Sequence, residues 1–294
     1  MSIRTLLLLI IALPALLLGG AYALGVKIPV PEWGRDYVQR FLLEPEAEQF
    51  ELPGVLGPDD PTRPLIVIDA GHGGRDPGSV AENVDGERVQ EKDLVLALAL
   101  ALRDELLREG GIRVALTRDD DRIIALGDRP EIARQLGADL FLSIHADSAG
   151  ERSDVEGASI YTLSNEASSE AAARFAEREN AADRGNGIAI EGQSEEVSAI
   201  LVELSQQRTQ EDATQFAALI EREGEGRIRF HPQARRSATL AVLRAPDLPG
   251  VLFESGFVTN DADRARLMTE EGRQEYAAVL ARAIRVYFAR RADP

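Results

Sequence analysis

The sequence contains no cysteine, so neither a disulfide framework nor a thiolate metal site can form. Any bound metal must be held by imidazoles and carboxylates. Imidazoles are scarce too, since His72, His145 and His231 are the full set. Positive charge is in deficit, with 33 basic residues against 50 acidic ones and a net charge of −17. Proteins that grip a phosphate backbone carry a basic footprint, so this composition excludes nucleic acid as a partner. The 294 residues, 44% of them hydrophobic, supply material for one sizeable domain or two small ones, and they exclude collagen-like, low-complexity and wholly disordered classes.

After Met1-Ser2-Ile3-Arg4 no charge occurs from Thr5 to Val26. A leucine-rich run from Leu6 to Leu18 is followed by Ala21-Tyr22-Ala23, the small-residue pattern of a signal-peptidase site. Residues 1–26 therefore read as a secretory signal peptide or, retained, as an N-terminal membrane anchor, since residues 5–26 reach the roughly 20 residues a bilayer requires. Either outcome exports the remainder to the periplasm or cell envelope. Residues 27–63 are rich in proline and acid and read as a linker, with one short amphipathic helix around Glu32–Leu43.

From residue 64 to 294 the pattern alternates between strands and helices. The apolar run Leu65–Asp69 reads as a buried strand, Glu91–Glu109 as a helix, Ile112–Thr117 as a strand, and Arg129–Leu136 as part of a helix starting near Gly127. Strands follow at Asp139–His145, Ser159–Leu163, Leu240–Leu243 and Val251–Ser255, and Gln274–Arg290 closes the chain as a helix. Between Leu163 and Leu240 the alternation breaks. Ser164–Asn180, Glu195–Gln207 and Gln210–Gly224 read as polar helices, an insertion spanning about 164–224. The expected fold is α/β, a mostly parallel twisted sheet with helices on both faces and a helical insertion before the last strand. In such sheets functional groups gather at the carboxyl ends of the strands.

Two of the three histidines fall at such ends. His72 sits in the glycine-rich turn Asp69-Ala-Gly-His-Gly-Gly, and His145 closes Asp139-Leu-Phe-Leu-Ser-Ile-His. Glu91 opens the first long helix, with Glu87 and Asp93 nearby. Two imidazoles and a carboxylate form a common catalytic zinc set. Each residue alone has a structural alternative: a hydrogen-bonded strand-end histidine, or a glutamate placed for the helix dipole. His231 reads as structural or substrate-facing. Glu254 ends the apolar strand Val251-Leu-Phe, where an ionisable group is costly unless it has a partner or a task. Its alternative role is to cap the next loop.

The ordered motifs IVIDAGHGG-DPG, EKD at a helix start, ADLFLSIHAD and VLFESGFVTN resemble the zinc-dependent N-acetylmuramoyl-L-alanine amidases of the amidase-3 type, over about residues 64–290. The resemblance implies peptidoglycan as substrate, Zn2+ as cofactor, His72, Glu91 and His145 as zinc ligands, and Glu254 as the catalytic carboxylate. Arg118 and Arg129 match arginines that accompany the His145 strand in the family, and they read as structural pairing residues rather than catalytic ones. Family members that act in daughter-cell separation carry helices at the position of the insertion. In those relatives a glutamate of the insertion can sit on zinc until an activator protein binds. The matching position here is Glu179, against the alternative that it is one of eight solvated glutamates between Glu166 and Glu203. Relatives often carry a wall-targeting or repeat module; here targeting is expected to depend on the N-terminal segment or on a partner. The rival readings are a zinc carboxypeptidase on a similar sheet and a non-catalytic wall-binding or activator protein.

Overall fold

In the computed structural model the described residues are 52–82, 86–150, 152–183 and 199–292. The signal or anchor segment, the helix expected around residues 32–43, and the start of the helix expected at 195–207 lie outside them. Among the described residues no helix is long and apolar enough to cross a membrane.

Six strands form the central sheet: β1 (Leu65–Ala70), β4 (Arg113–Leu116), β5 (Leu140–Asp147), β6 (Ala158–Leu163), β7 (Phe230–Ala238) and β8 (Gly250–Phe257). A two-stranded ribbon, β2 (Val80–Glu82) with β3 (Arg88–Gln90), stands apart from it. The helices are α1 (Glu91–Glu109), α2 (Asp128–Gln135), α3 (Glu170–Glu179), α4 (Ala199–Gly224), α5 (Asp261–Met268) and α6 (Glu270–Ala292). The sheet order is β4-β1-β5-β8-β6-β7, and every neighbouring pair is parallel except β6 with β8. The expected α/β architecture with a mostly parallel sheet is the one observed.

Strand residues alternate between the two faces, and the core divides accordingly. Ile66, Ile68, Leu142, Ile144, Val251 and Phe253 join a cluster with Leu98 and Leu102 of α1, Phe216 of α4 and Ile284 of α6. Val67, Phe141, Tyr161 and Leu252 point the other way, toward Ala133 of α2 and Phe175 of α3. The same period of two places His145, Asp147 and Glu254 on the α2–α3 face, at the carboxyl ends of β5 and β8. Upstream of β1, Leu56 exchanges two backbone hydrogen bonds with Val114, laying residues 52–64 along β4.

Three expectations need correction. The stretch between Leu163 and Leu240 is not purely helical, because β7 runs parallel to β6 at the sheet edge. An edge strand has one side in solvent, and His-Pro-Gln-Ala-Arg-Arg-Ser therefore lacks the apolar pattern of a central strand. Leu240–Leu243 is not a strand; Ala241–Leu243 forms a 3-10 turn whose Val242 and Leu243 cover the α2–α3 face, which is why it is apolar. Finally, the ribbon of β2 and β3 escaped the sequence reading, being two three-residue strands with one buried side chain, Val89.

Candidate metal and catalytic centre

His72 adopts a left-handed backbone conformation, φ 59°, in a turn between glycines. That conformation is uncommon for a side chain with a Cβ and is kept here by surrounding contacts. Arg129 donates to His72 O at 2.7 Å and to Ala70 O at 2.9 Å, while Arg118 donates to Ala70 O and Gly71 O at 2.8 and 2.7 Å. Arg129 also pairs with the buried Asp69 at 2.8 Å, and Ser143 and Thr117 donate their hydroxyls to that carboxylate. Both arginines thus build the turn, the structural role expected of them. Burial opposes the charge on Asp69, but the guanidinium and the two hydroxyls prevail and hold its carboxyl below the usual carboxylate range.

Four side chains converge beyond this turn. His72 Nε2 lies 3.0 Å from Glu91 Oε1 and 3.7 Å from Glu179 Oε2; His145 Nδ1 lies 3.2 Å from each of the same two oxygens. The ligand atoms of His72, His145 and Glu179 all fall within 4.8 Å of one another. Zinc–ligand bonds of about 2.0–2.1 Å in a tetrahedron put ligand atoms roughly 3.3 Å apart. The histidine-to-carboxylate separations, 3.0–3.7 Å, lie near that edge length. Among the described residues, His72 Nε2 is buried without a hydrogen-bond partner, while His72 Nδ1 is held by Asp76 Oδ2 at 2.8 Å. An orienting carboxylate on the far nitrogen is the usual outer support of a metal-binding histidine. Glu91 is fixed as well, its Oε2 accepting from Ser79 N at 2.8 Å and its Oε1 from Ala146 N at 2.9 Å. The residues present fit a divalent metal.

The carboxylates of this centre favour positive charge within it. Burial disfavours charge on both His72 and Glu91, yet their mutual attraction wins: His72 titrates well above its ordinary value, helped by Asp76, and Glu91 well below. Beside them Glu254 is 1% exposed, opposite His145 across β5–β8, and among the described residues neither of its oxygens has a hydrogen-bond partner. Burial first, then the nearby Asp147, Glu91 and Glu179, push its carboxyl well above the carboxylate range. Burial also raises Asp147 to about 6 against the pull of Arg178.

Helix α3 brings Glu179 in. Ser169 caps its start, Phe175 stacks on Tyr161 at 4.3 Å, and Asn180 is tied to Thr239 O and Ala241 N at 2.7 and 2.8 Å. Arg178 forms a short ion pair with Asp147. All five expected site residues, His72, Glu91, His145, Glu179 and Glu254, therefore meet in one place. Glu87 and Asp93 are exposed and stand apart from it. Asp76, Asp147 and Arg178 escaped the sequence reading; Asp76, four residues after His72, and Asp147, two after His145, carried a signal in their spacing alone.

A family profile described as N-acetylmuramoyl-L-alanine amidase, of the amidase-3 type, matches residues 66–286. The amidase AmiA of Salmonella typhimurium is 37% identical over 225 residues, 76% of each chain. The chain belongs to the N-acetylmuramoyl-L-alanine amidase family. Its activity is accordingly hydrolysis of peptidoglycan at the amide that joins glycan to stem peptide. AmiC of Escherichia coli is 34% identical over 83% of this chain, which spans 57% of that relative. Among solved structures, AmiC2 of Nostoc punctiforme is 28% identical with a TM-score of 0.52, covering 77% of this chain and 97% of its own. A Clostridioides difficile amidase, CwlD, solved in complex with the GerS lipoprotein, shares the fold at 24% identity and a TM-score of 0.56, over 77% of this chain and 98% of its own.

Proposed function

We propose that this amidase is zinc-dependent, with His72, Glu91 and His145 as the ligands and Glu254 as the proton carrier. The observation that carries the proposal is Glu91 Oε1 standing 3.0 Å from His72 Nε2 and 3.2 Å from His145 Nδ1, beside a buried carboxyl that has no hydrogen-bond partner among the described residues. A zinc ion held there supplies Lewis acidity, lowering the pKa of water toward about 7 and polarising the amide carbonyl. Glu254 takes a proton from the attacking water and delivers it to the departing L-alanine nitrogen. The lactyl C–N bond breaks as the C–O bond forms, leaving a muramic acid carboxylate and a free peptide amine. Burial raises this carboxyl above the ordinary range, the direction in which a carboxylate becomes a better proton acceptor.

Glu179 Oε2 lies 3.7 Å from His72 Nε2 and 3.2 Å from His145 Nδ1, which supports assigning α3 a blocking role, relieved when an activator protein displaces the insertion. Export through residues 1–26 to the periplasm or cell envelope, a linker over 27–63, a catalytic domain over 64–294 and a place in daughter-cell separation complete the proposal. The test is mass spectrometry of purified sacculi after digestion. Free stem peptides beginning with L-alanine support the reading; a released terminal amino acid points instead to a carboxypeptidase, and no release even by the Glu179→Ala variant to a binding protein.

A further inference from the structure

Arg236 on β7 is 9% exposed, and among the described residues no carboxylate pairs with it. Its Nε donates to Gln233 O at 3.0 Å, Nη1 to the Tyr161 hydroxyl at 3.0 Å, and Nη2 faces His231 Nδ1 at 2.7 Å and Nε2 at 3.2 Å. All three partners are neutral. Burial and the neighbouring guanidinium pull His231 below its ordinary value, so it brings no balancing charge. A buried cation is costly unless paired. Arg118 shows the structural alternative: four backbone carbonyls, Ala70, Gly71, Lys92 and Asp120, accept from its guanidinium. Arg236 has a single carbonyl, the Tyr161 phenol, whose ring centroid lies 5.8 Å from the guanidinium, and the ring of a half-buried histidine that also accepts from Gln233 N at 3.0 Å.

The strand register puts this group on the face of the sheet that carries Glu254, level with Leu252 two residues before it. Glu254 pairs with Ser159, Leu252 with Tyr161, and Tyr161 with Arg236, so Glu254, Tyr161 and Arg236 share one face. Arg236 then turns back toward His231, whose ring lies 6.4 Å from that of Phe257, just past Glu254. Two strand spacings of about 4.8 Å separate β8 from β7, roughly 10 Å in all, and an extended peptide advances about 3.3 Å per residue. The second and third residues of a stem peptide whose L-alanine nitrogen sits at Glu254 fall within reach. Both residues of a diaminopimelate-type stem carry free carboxylates.

We propose that Arg236 is a specificity-determining residue that takes a free carboxylate of the stem peptide two or three residues from the scissile bond. The inference rests on the amidase reading. A guanidinium with two freed Nη donors binds a carboxylate bidentately, which an amide cannot reproduce. The test compares kcat/KM on three soluble muropeptides: one with both carboxylates free, one amidated at the second residue, one amidated at the third. The parent, Arg236→Gln and Arg236→Lys are each measured with and without Glu179→Ala, because an acid-to-amide ratio is independent of the fraction of molecules that are open. The parent is expected to favour the free acid at least tenfold over one of the amides, which identifies the residue bound. Arg236→Gln brings that ratio near one, and Arg236→Lys keeps a preference. A parent indifferent to both amidations, or an Arg236→Gln ratio equal to the parent's, overturns the inference alone. No turnover of any substrate, even with Glu179→Ala, overturns the amidase reading and this inference with it.

Discussion

Replacing Phe175 with alanine loosens α3, and Glu179 with it, while leaving His72, Glu91, His145 and Glu254 in place. The ring is 2% exposed and stacks on Tyr161 at 4.3 Å, with Arg178 over its other side at 5.8 Å from the centroid. Truncating a buried phenylalanine costs about 3–5 kcal/mol. The lower end applies to a peripheral ten-residue helix, whose other buried groups are Ala172 and Ala176. At about 1.36 kcal/mol per factor of ten, 3 kcal/mol shifts the docking equilibrium of α3 by roughly 150-fold. Because Glu179 rides on that helix, basal turnover rises by up to the same factor, with the fully undocked fraction as ceiling. Dye release from labelled sacculi without any partner protein measures it. Leu280→Ala, in the α1–α6 core on the opposite face, serves as the control that lowers stability without releasing α3. A folded Phe175→Ala protein with unchanged or reduced basal turnover refutes the blocking role of α3.

The remaining predictions concern the centre and its support. Glu254→Gln is expected to retain metal and melting temperature yet lose at least about 100-fold in turnover, the usual scale of a lost acid–base group; undiminished activity removes Glu254 from the mechanism. Gly71→Ala would set a Cβ 2.3 Å from the His145 ring, so metal content and activity both fall, whereas Gly54→Ala meets nothing within 4 Å and is silent; equal metal content in the two variants contradicts the geometry. Asp69→Asn leaves Arg129 buried without its counter-charge, at a cost of about 3–5 kcal/mol near neutrality. The folded pKa of Asp69 lies below its unfolded value near 3.9, so its contribution is full above that value and fades as pH falls through the folded one. Denaturant melts of parent and variant should therefore differ at pH 7 and converge in strong acid; a constant gap would show that charge is not the source.

Much of this was legible because the central strands are apolar on both faces. Leu65–Asp69, Asp139–His145 and Val251–Ser255 announced themselves by composition, and their carboxyl ends carried His72, His145 and Glu254. Helix α1 was legible end to end, since its buried Leu94, Leu98, Leu102 and Leu106 repeat at four-residue spacing and Gly110 stops it. What periodicity missed is what lies at the sheet edge or acts through hydrogen bonds. β7 reads as polar because half of it meets solvent. Leu240–Leu243 imitates a strand because it covers one. Asp76 and Arg178 look like ordinary surface charge until the fold sets them against His72 and Asp147. The cationic Arg236 gave no sequence signal at all, because its interest lies in the carboxylate it lacks.

Zinc X-ray absorption on the purified catalytic domain tests the central claim most directly. The account predicts one zinc per chain with two imidazole nitrogens and carboxylate oxygens at about 2.0–2.1 Å, and a metal content that collapses in His72→Ala and His145→Ala. A chain that retains no stoichiometric metal yet cleaves sacculi, or one whose metal survives loss of both histidines, would contradict it.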